Sequence, residues 1–176
     1  MNIRVAPDSK ASFSVTVVLS GLLVTSMHGY LNAMWYSKHC TYLDWEWFTS
    51  PICLFGLTLY EISFLCTLYS EHIMRNLRDL PSKAPPAQQQ SPHTPPQRYK
   101  IPKGFLFNYV SSPQYFTELT GFLGWAIMTW SPAGLFIFLI SCANLIPRAV
   151  ASHKWYVEKF RGDYPVNRKQ LIPFVW

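Results

Sequence analysis

Between Lys10 and Lys38 the chain contains no Lys, Arg, Asp or Glu; the stretch reads ASFSVTVVLSGLLVTSMHGYLNAMWYS. About 20 apolar residues suffice to cross about 30 Å of hydrocarbon as a helix, so this block alone is long enough for one span. A second block runs from Trp47 to Ser70 and is broken only by Glu61. A third, Leu119 to Pro147, is free of charge and far longer than one bilayer crossing. Near its middle stands Trp130-Ser131-Pro132-Ala133-Gly134, whose Ser-Pro and Gly residues favour a turn. The third block therefore predicts a tight helical hairpin, about Val110–Trp130 and Pro132–Trp155. Composition agrees: only 14% of residues are charged, where a water-soluble domain carries about 25%.

Charge placement fixes the expected topology. Of the 15 basic residues, only Lys38 falls between the first two blocks. The others precede the first block, lie between the second and third, or lie at or beyond the end of the last. Four spans place all of these on one side, the pattern expected of a cytoplasmic or matrix face. The aromatic residues Trp35, Tyr36, Tyr42, Trp45, Trp47 and Phe48 gather at the opposite interface. The expected fold class is an all-α, polytopic transmembrane helix bundle of about four spans with both termini on the basic side. This topology accounts for the net charge of +6 without a nucleic-acid partner; membrane lipids are the expected surroundings.

Three regions are expected: a two-span region over 1–80, a linker over 81–100, and a helical hairpin with its tail over 101–176. Six prolines in PSKAPPAQQQSPHTPPQ (Pro81–Gln97) give the linker an extended character. The four cysteines and five histidines show no metal-ligand or disulfide spacing, so no metal site is expected. The first block is too long for a signal-peptide core.

Candidate chemistry lies at the basic end. Glu71, Arg75 and Arg78 share a helix face, as do Tyr115 and Glu118, and as do Arg148, Ser152 and Tyr156. Such helix ends can hold a phosphorylated cofactor in arginine forks. They can equally be snorkelling cations paired with acids and headgroups, and spacing alone favours that reading. Glu61, a carboxylate inside a span, must face protein or water.

Beyond spacing, several segments resemble the steroid 5α-reductase family, and most nearly its trans-2-enoyl-CoA reductases of very-long-chain fatty acid elongation. They are SEHIMRNLRDL (Ser70–Leu80), RYKIPKG (Arg98–Gly104), VSSPQYFTELTGFLGWAIMTW (Val110–Trp130) and HKWYVEKFRGDYPVNRKQLIPFVW (His153–Trp176). His28-Gly29-Tyr30 adds a weaker match. The resemblance implies NADPH-dependent reduction of a C=C bond conjugated to a carbonyl in a lipid. It implies Tyr115 as the catalytic acid, and Arg75, Arg78, Gln114, Glu118, Arg148, Tyr156 and Arg168 as cofactor-binding residues.

The departures carry weight as well. Gln114 stands for the family's asparagine, Thr67 for another, Glu71 for an aspartate and Ser152 for a histidine. Family enzymes carry further spans ahead of the matched region, and those spans grip the substrate. The balance favours a degenerate member serving as an accessory structural subunit, a hetero-oligomer with other membrane subunits. The alternative is an active reductase of a lipid enoyl-CoA or enone. The location expected is the endoplasmic reticulum or the mitochondrial inner membrane, basic side toward cytoplasm or matrix.

Overall fold

A computed structural model describes residues 15–42, 44–79 and 99–176. The Pro/Gln-rich linker expected at 81–97 lies outside the described residues. The chain divides into two compact units, Met1–Asp44 and Trp45–Trp176.

The first unit contributes α1, Val15–Lys38, which coincides with the first charge-free block. Its polar interruption is local: the Asn32 amide reaches the His28 carbonyl one turn back, at 2.9 Å. Beyond α1 the Trp35 indole donates to the Tyr42 hydroxyl at 3.3 Å, within the aromatic cluster expected there.

The second unit holds α2 (Trp45–Thr49), α3 (Pro51–Asp79), α4 (Pro113–Thr129) and α5 (Pro132–Phe160), with single 3-10 turns at Phe105–Asn108 and Arg161–Asp163. The three long helices start alike, with serine then proline. Ser50 Oγ accepts from the Cys53 amide (3.2 Å) ahead of Pro51, and Ser131 Oγ accepts from the Gly134 amide (2.9 Å) ahead of Pro132. At α3 and α5 the serine satisfies an orphan first-turn donor, whereas the Ser112 hydroxyl before Pro113 makes no such bond; proline at the first helical position has no N–H to satisfy. Trp130, in the left-handed region at φ 46°, ends α4 and makes the hairpin turn. Two helical stretches, Pro51–Leu77 and Pro132–Asp163, are long and apolar enough to cross a membrane, with mean hydropathy 1.7 and 1.8.

Two boundaries differ from expectation. The third span was expected to begin at Val110, but Pro113 cannot donate into a helix already under way, and α4 starts there. Val110 instead bridges Lys169 in parallel fashion. The fourth span continues past Trp155 to Phe160, because the Tyr156–Phe160 turn packs against Tyr164 and Ile101.

Small residues bring α3 and α4 together. A Cβ on Gly124 would sit 2.7 Å from the Tyr60 nitrogen and 2.8 Å from the Gly56 carbonyl oxygen, so only glycine permits this approach. Farther along, the Ser63 hydroxyl donates to Thr120 Oγ1 (2.9 Å), and Thr67 and Thr117 hydroxyls lie 2.7 Å apart. These pairs run in opposite order along the two helices, so α3 and α4 are antiparallel. At one end of the unit the Trp47 indole donates to the Met128 carbonyl (3.1 Å) and lies beside Trp130. Every described Lys and Arg of this unit lies toward the other end.

Candidate functional site

The basic end is built from the last turns of α3, the first turns of α4, the second half of α5, and a wrap made by residues 99–112 and 161–176. On α3, Glu71 and Arg75 form an ion pair at 3.2 Å, both side chains largely in solvent. Their spacing of four residues puts them on one face, as expected. Arg78 follows on the same helix, but its side chain lies outside the described residues. On α4, Glu118 lies within Coulombic reach of Arg148 of α5 and of Glu71 of α3. Three helices thus bring charged groups near one another at the basic end.

Gln114 and Tyr115 stand in the first turn of α4. The Gln114 Oε1 atom is buried and has no hydrogen-bond partner. Tyr115 leans on the apolar cluster of Leu119, Leu145, Ala149 and Leu171. Ser112, the residue before Pro113, is fully buried, and its hydroxyl is likewise unpartnered. The first turn of α4 therefore offers unsatisfied polar atoms beside a phenol. Buried polar groups are normally paired, and an unpaired one at a helix start marks a place where a ligand can bond.

Tyr156 and Arg168 have partners within the wrap. Tyr156 stacks on Tyr164 with ring centroids 5.6 Å apart and on Phe160 at 6.0 Å. Arg168 is 5% exposed, donates from Nη2 to the Pro102 carbonyl (2.8 Å), and sits over the Tyr164 ring. Its Nε and Nη1 atoms are buried without a partner. Both residues are walls of the wrap in this structure. The departures are also placed. Thr67 is engaged by Thr117 in the α3–α4 seam. Glu61 is exposed on α3 and has no ion-pair partner among the described residues.

One constellation escaped the sequence reading. Ser111 Oγ lies 2.6 Å from His153 Nδ1 and 2.6 Å from the Tyr164 hydroxyl, and it donates to the Lys169 carbonyl at 3.2 Å. This hub ties the approach to α4, the end of α5 and the C-terminal segment. All three side chains stand inside the quoted motifs, in VSSPQY, HKWY and GDYP. Their separations of 42 and 53 residues along the chain gave no periodicity to betray the contact.

A model of the 3-oxo-5-alpha-steroid 4-dehydrogenase family matches residues 11–176. A steroid 5-alpha-reductase of Solanum lycopersicum is 36% identical over 169 residues, covering 96% of this chain and 60% of the relative. The 3-oxo-5-alpha-steroid 4-dehydrogenase 1 of Rattus norvegicus is 39% identical over 166 residues, covering 94% and 58%. The human 3-oxo-5-alpha-steroid 4-dehydrogenase 1 is 34% identical over 155 residues, covering 88% and 54%. The chain spans a little over half the length of these curated relatives. Their names are those of steroid reductases, not of the enoyl-CoA branch that the Tyr115 signature resembles.

Proposed function

The chain belongs to the 3-oxo-5-alpha-steroid 4-dehydrogenase family, and on that premise we propose that it supplies the cofactor side of an NADPH-dependent reductase acting on a C=C bond conjugated to a carbonyl in a lipid. The observation that carries this reading is that Glu118 of α4 feels the charges of Arg148 of α5 and Glu71 of α3, so that three helices bring charged groups near one another at the basic end. NADPH, when bound, supplies a hydride to the β carbon of such a substrate. Arg75 and Arg148 are exposed cations suited to its phosphates. The unpartnered Gln114 Oε1 is an acceptor free to bond a cofactor N–H or O–H. Arg168 fits less well, because Tyr164 and the Pro102 carbonyl already enclose it. Tyr115 is the proton donor in this reading: its phenol protonates the α carbon or holds the developing charge on the carbonyl oxygen.

The substrate grip is completed by a segment or subunit that supplies what the longer relatives carry. The membrane proposed is the endoplasmic reticulum, basic end toward the cytoplasm; a matrix-facing mitochondrial placement satisfies the same charge asymmetry. Thr67 favours a second reading. Where the family has an asparagine, this threonine bonds Thr117 across a helix seam, which suits an accessory subunit of a membrane complex without turnover.

Purified full-length protein, titrated with NADPH and assayed with a steroid enone and an enoyl-CoA, separates the two. The reductase reading expects saturable NADPH binding, and Tyr115→Phe lowering the rate by about 10²-fold. An unchanged rate removes Tyr115 from the mechanism. Absence of NADPH binding, with migration in a hetero-oligomer on native electrophoresis, establishes the accessory role instead.

A further inference from the structure

The wrap carries exposed aromatic side chains outside every helix that could cross a membrane. Phe174 is 74% exposed and Val175 73%, in a segment where nothing requires burial in hydrocarbon. These side chains are joined by contact. The ring of Tyr69, on α3 within the stretch long and apolar enough to cross a membrane, meets Phe105 at 5.0 Å, edge to face. Phe105 opens the 3-10 turn that leads to Tyr109, and Tyr109 packs on Phe174 at 4.8 Å. Phe105 and Phe174 adopt φ of 51° and 67°, a region a bulky side chain rarely enters, and both remain solvent-facing. Exposed Lys103 and Lys169 flank them, and the Lys169 amide donates to the Tyr109 carbonyl at 2.8 Å. Neither 99–117 nor 164–176 contains an Asp or Glu.

Helix lengths set the height of this patch. The 17 residues of α4 rise about 26 Å from the hairpin turn, slightly less than the hydrocarbon thickness of about 30 Å. With the hairpin turn at the opposite boundary, the segment before Pro113 stands between acyl chains and headgroups. The 29 residues of α5 rise about 43 Å and carry the C-terminal segment to and past that boundary. Aromatic rings favour this layer, and lysines there meet anionic headgroups.

The geometry points to an interfacial lipid-binding surface: Tyr69, Phe105, Tyr109 and Phe174 insert among the headgroups, with Lys103 and Lys169 engaging the phosphates of anionic lipids. The inference rests on the helices crossing a membrane and is independent of reductase chemistry. A covering protein subunit is the other occupant, but an aromatic surface flanked by Lys103 and Lys169, in segments 99–117 and 164–176 that hold no Asp or Glu, complements an anionic lipid layer.

The test uses the full chain in nanodiscs of phosphatidylcholine, with and without phosphatidylserine. Cys40, Cys66 and Cys142 are replaced by serine, the buried Cys53 is kept, and a spin label is attached through Phe174→Cys or, separately, Val175→Cys. The expected result is several-fold greater accessibility to oxygen than to a water-soluble nickel chelate, rising when phosphatidylserine is added. Lys103→Glu with Lys169→Glu should abolish that rise. Labels more accessible to the nickel chelate place the surface in water and overturn the proposal. Labels shielded from both reagents place it under protein and overturn it equally.

Discussion

Between α3 and α4 the backbones approach so closely that a Cβ on Gly124 would meet the Tyr60 nitrogen at 2.7 Å, and serine and threonine hydroxyls bond across the gap. Around 99–112 and 156–171 the contacts are made instead by large side chains: Tyr156, Phe160 and Tyr164 stacked, with Arg168 beneath. The difference follows from solvent. Within the bilayer, lipid is as apolar as leucine, so helices gain by close backbone approach and by hydrogen bonds rather than by hiding leucines. At the headgroup level water is present, and apolar burial again drives assembly. One bundle is thus held by small residues along its length and by aromatic ones at its end.

The seam offers the largest expected effect. Gly124→Leu forces the α3 backbone away at Gly56 and Tyr60, where no flexible side chain can yield. Overpacking of this kind costs about 3 kcal/mol or more. Loss of the monodisperse peak on size-exclusion chromatography in mild detergent is the expected result. Gly21→Leu, whose Cβ would meet nothing within 4 Å in its own surroundings, should be tolerated. If Gly124→Leu behaves like Gly21→Leu, the seam is not close-packed.

Arg168 sharpens the other side of the comparison. Arg168→Ala removes the bond to the Pro102 carbonyl and leaves a hole under Tyr164, an expected loss of about 2–3 kcal/mol. Arg168→Met keeps most of the volume and removes a buried charge that has no carboxylate partner among the described residues, so it should cost less than about 1.5 kcal/mol. Thermal unfolding in detergent reads both. If Arg168→Met stays folded yet loses NADPH binding that the parent protein shows, Arg168 is a cofactor arm rather than a wall.

Sequence and structure agree where a one-dimensional signal exists. Long apolar blocks, the second broken only by Glu61, correspond to α1, α3 and the α4–α5 hairpin, and Ser131-Pro132 marks its turn, because span length and N-capping are local properties. Spacing also placed Glu71 with Arg75 on one face. The wrap was not legible. Ser111 meets His153 and Tyr164 only after the chain has turned back twice, and Val110–Ser112, expected to open the third span, instead precedes it. The resemblance implies Tyr156 and Arg168 as cofactor-binding residues, and in this structure both are packed within the wrap. Composition cannot tell that a ring or a guanidinium has been enclosed by residues from distant segments.

Ser111→Ala tests the hub. It leaves the Tyr164 hydroxyl and His153 Nδ1 without their 2.6 Å contact at a position 2% exposed. An unsatisfied buried partner costs about 1–3 kcal/mol. Tyr164→Phe alone should cost less, about 1 kcal/mol, because Ser111 keeps its other partners. Coupling in the double variant Ser111→Ala, Tyr164→Phe is the readout, since contacting residues depart from additivity. Additive losses would mean that the three groups do not act as a hub.

Thr67→Val carries the smallest expected effect and discriminates most finely between the two regions. The substitution keeps shape and removes a hydroxyl that lies 2.7 Å from Thr117 Oγ1 and also donates to the Ser63 carbonyl at 2.9 Å. Thr117 retains donation to the Pro113 carbonyl at 3.1 Å, so no group is left wholly without a partner. Hydrogen bonds between membrane helices average about 0.6 kcal/mol, because the separated helices find other partners in lipid. A shift of that size in the unfolding free energy, measured in detergent or bicelles by a denaturant series, marks the contact as helix packing alone. Thr67→Asn is the complementary variant, since the family resemblance implies an asparagine at this position. If this position once served a cofactor, the asparagine should strengthen NADPH binding while weakening the seam. If Thr67→Asn changes stability and leaves binding untouched, the position belongs to the seam and has no part in the site.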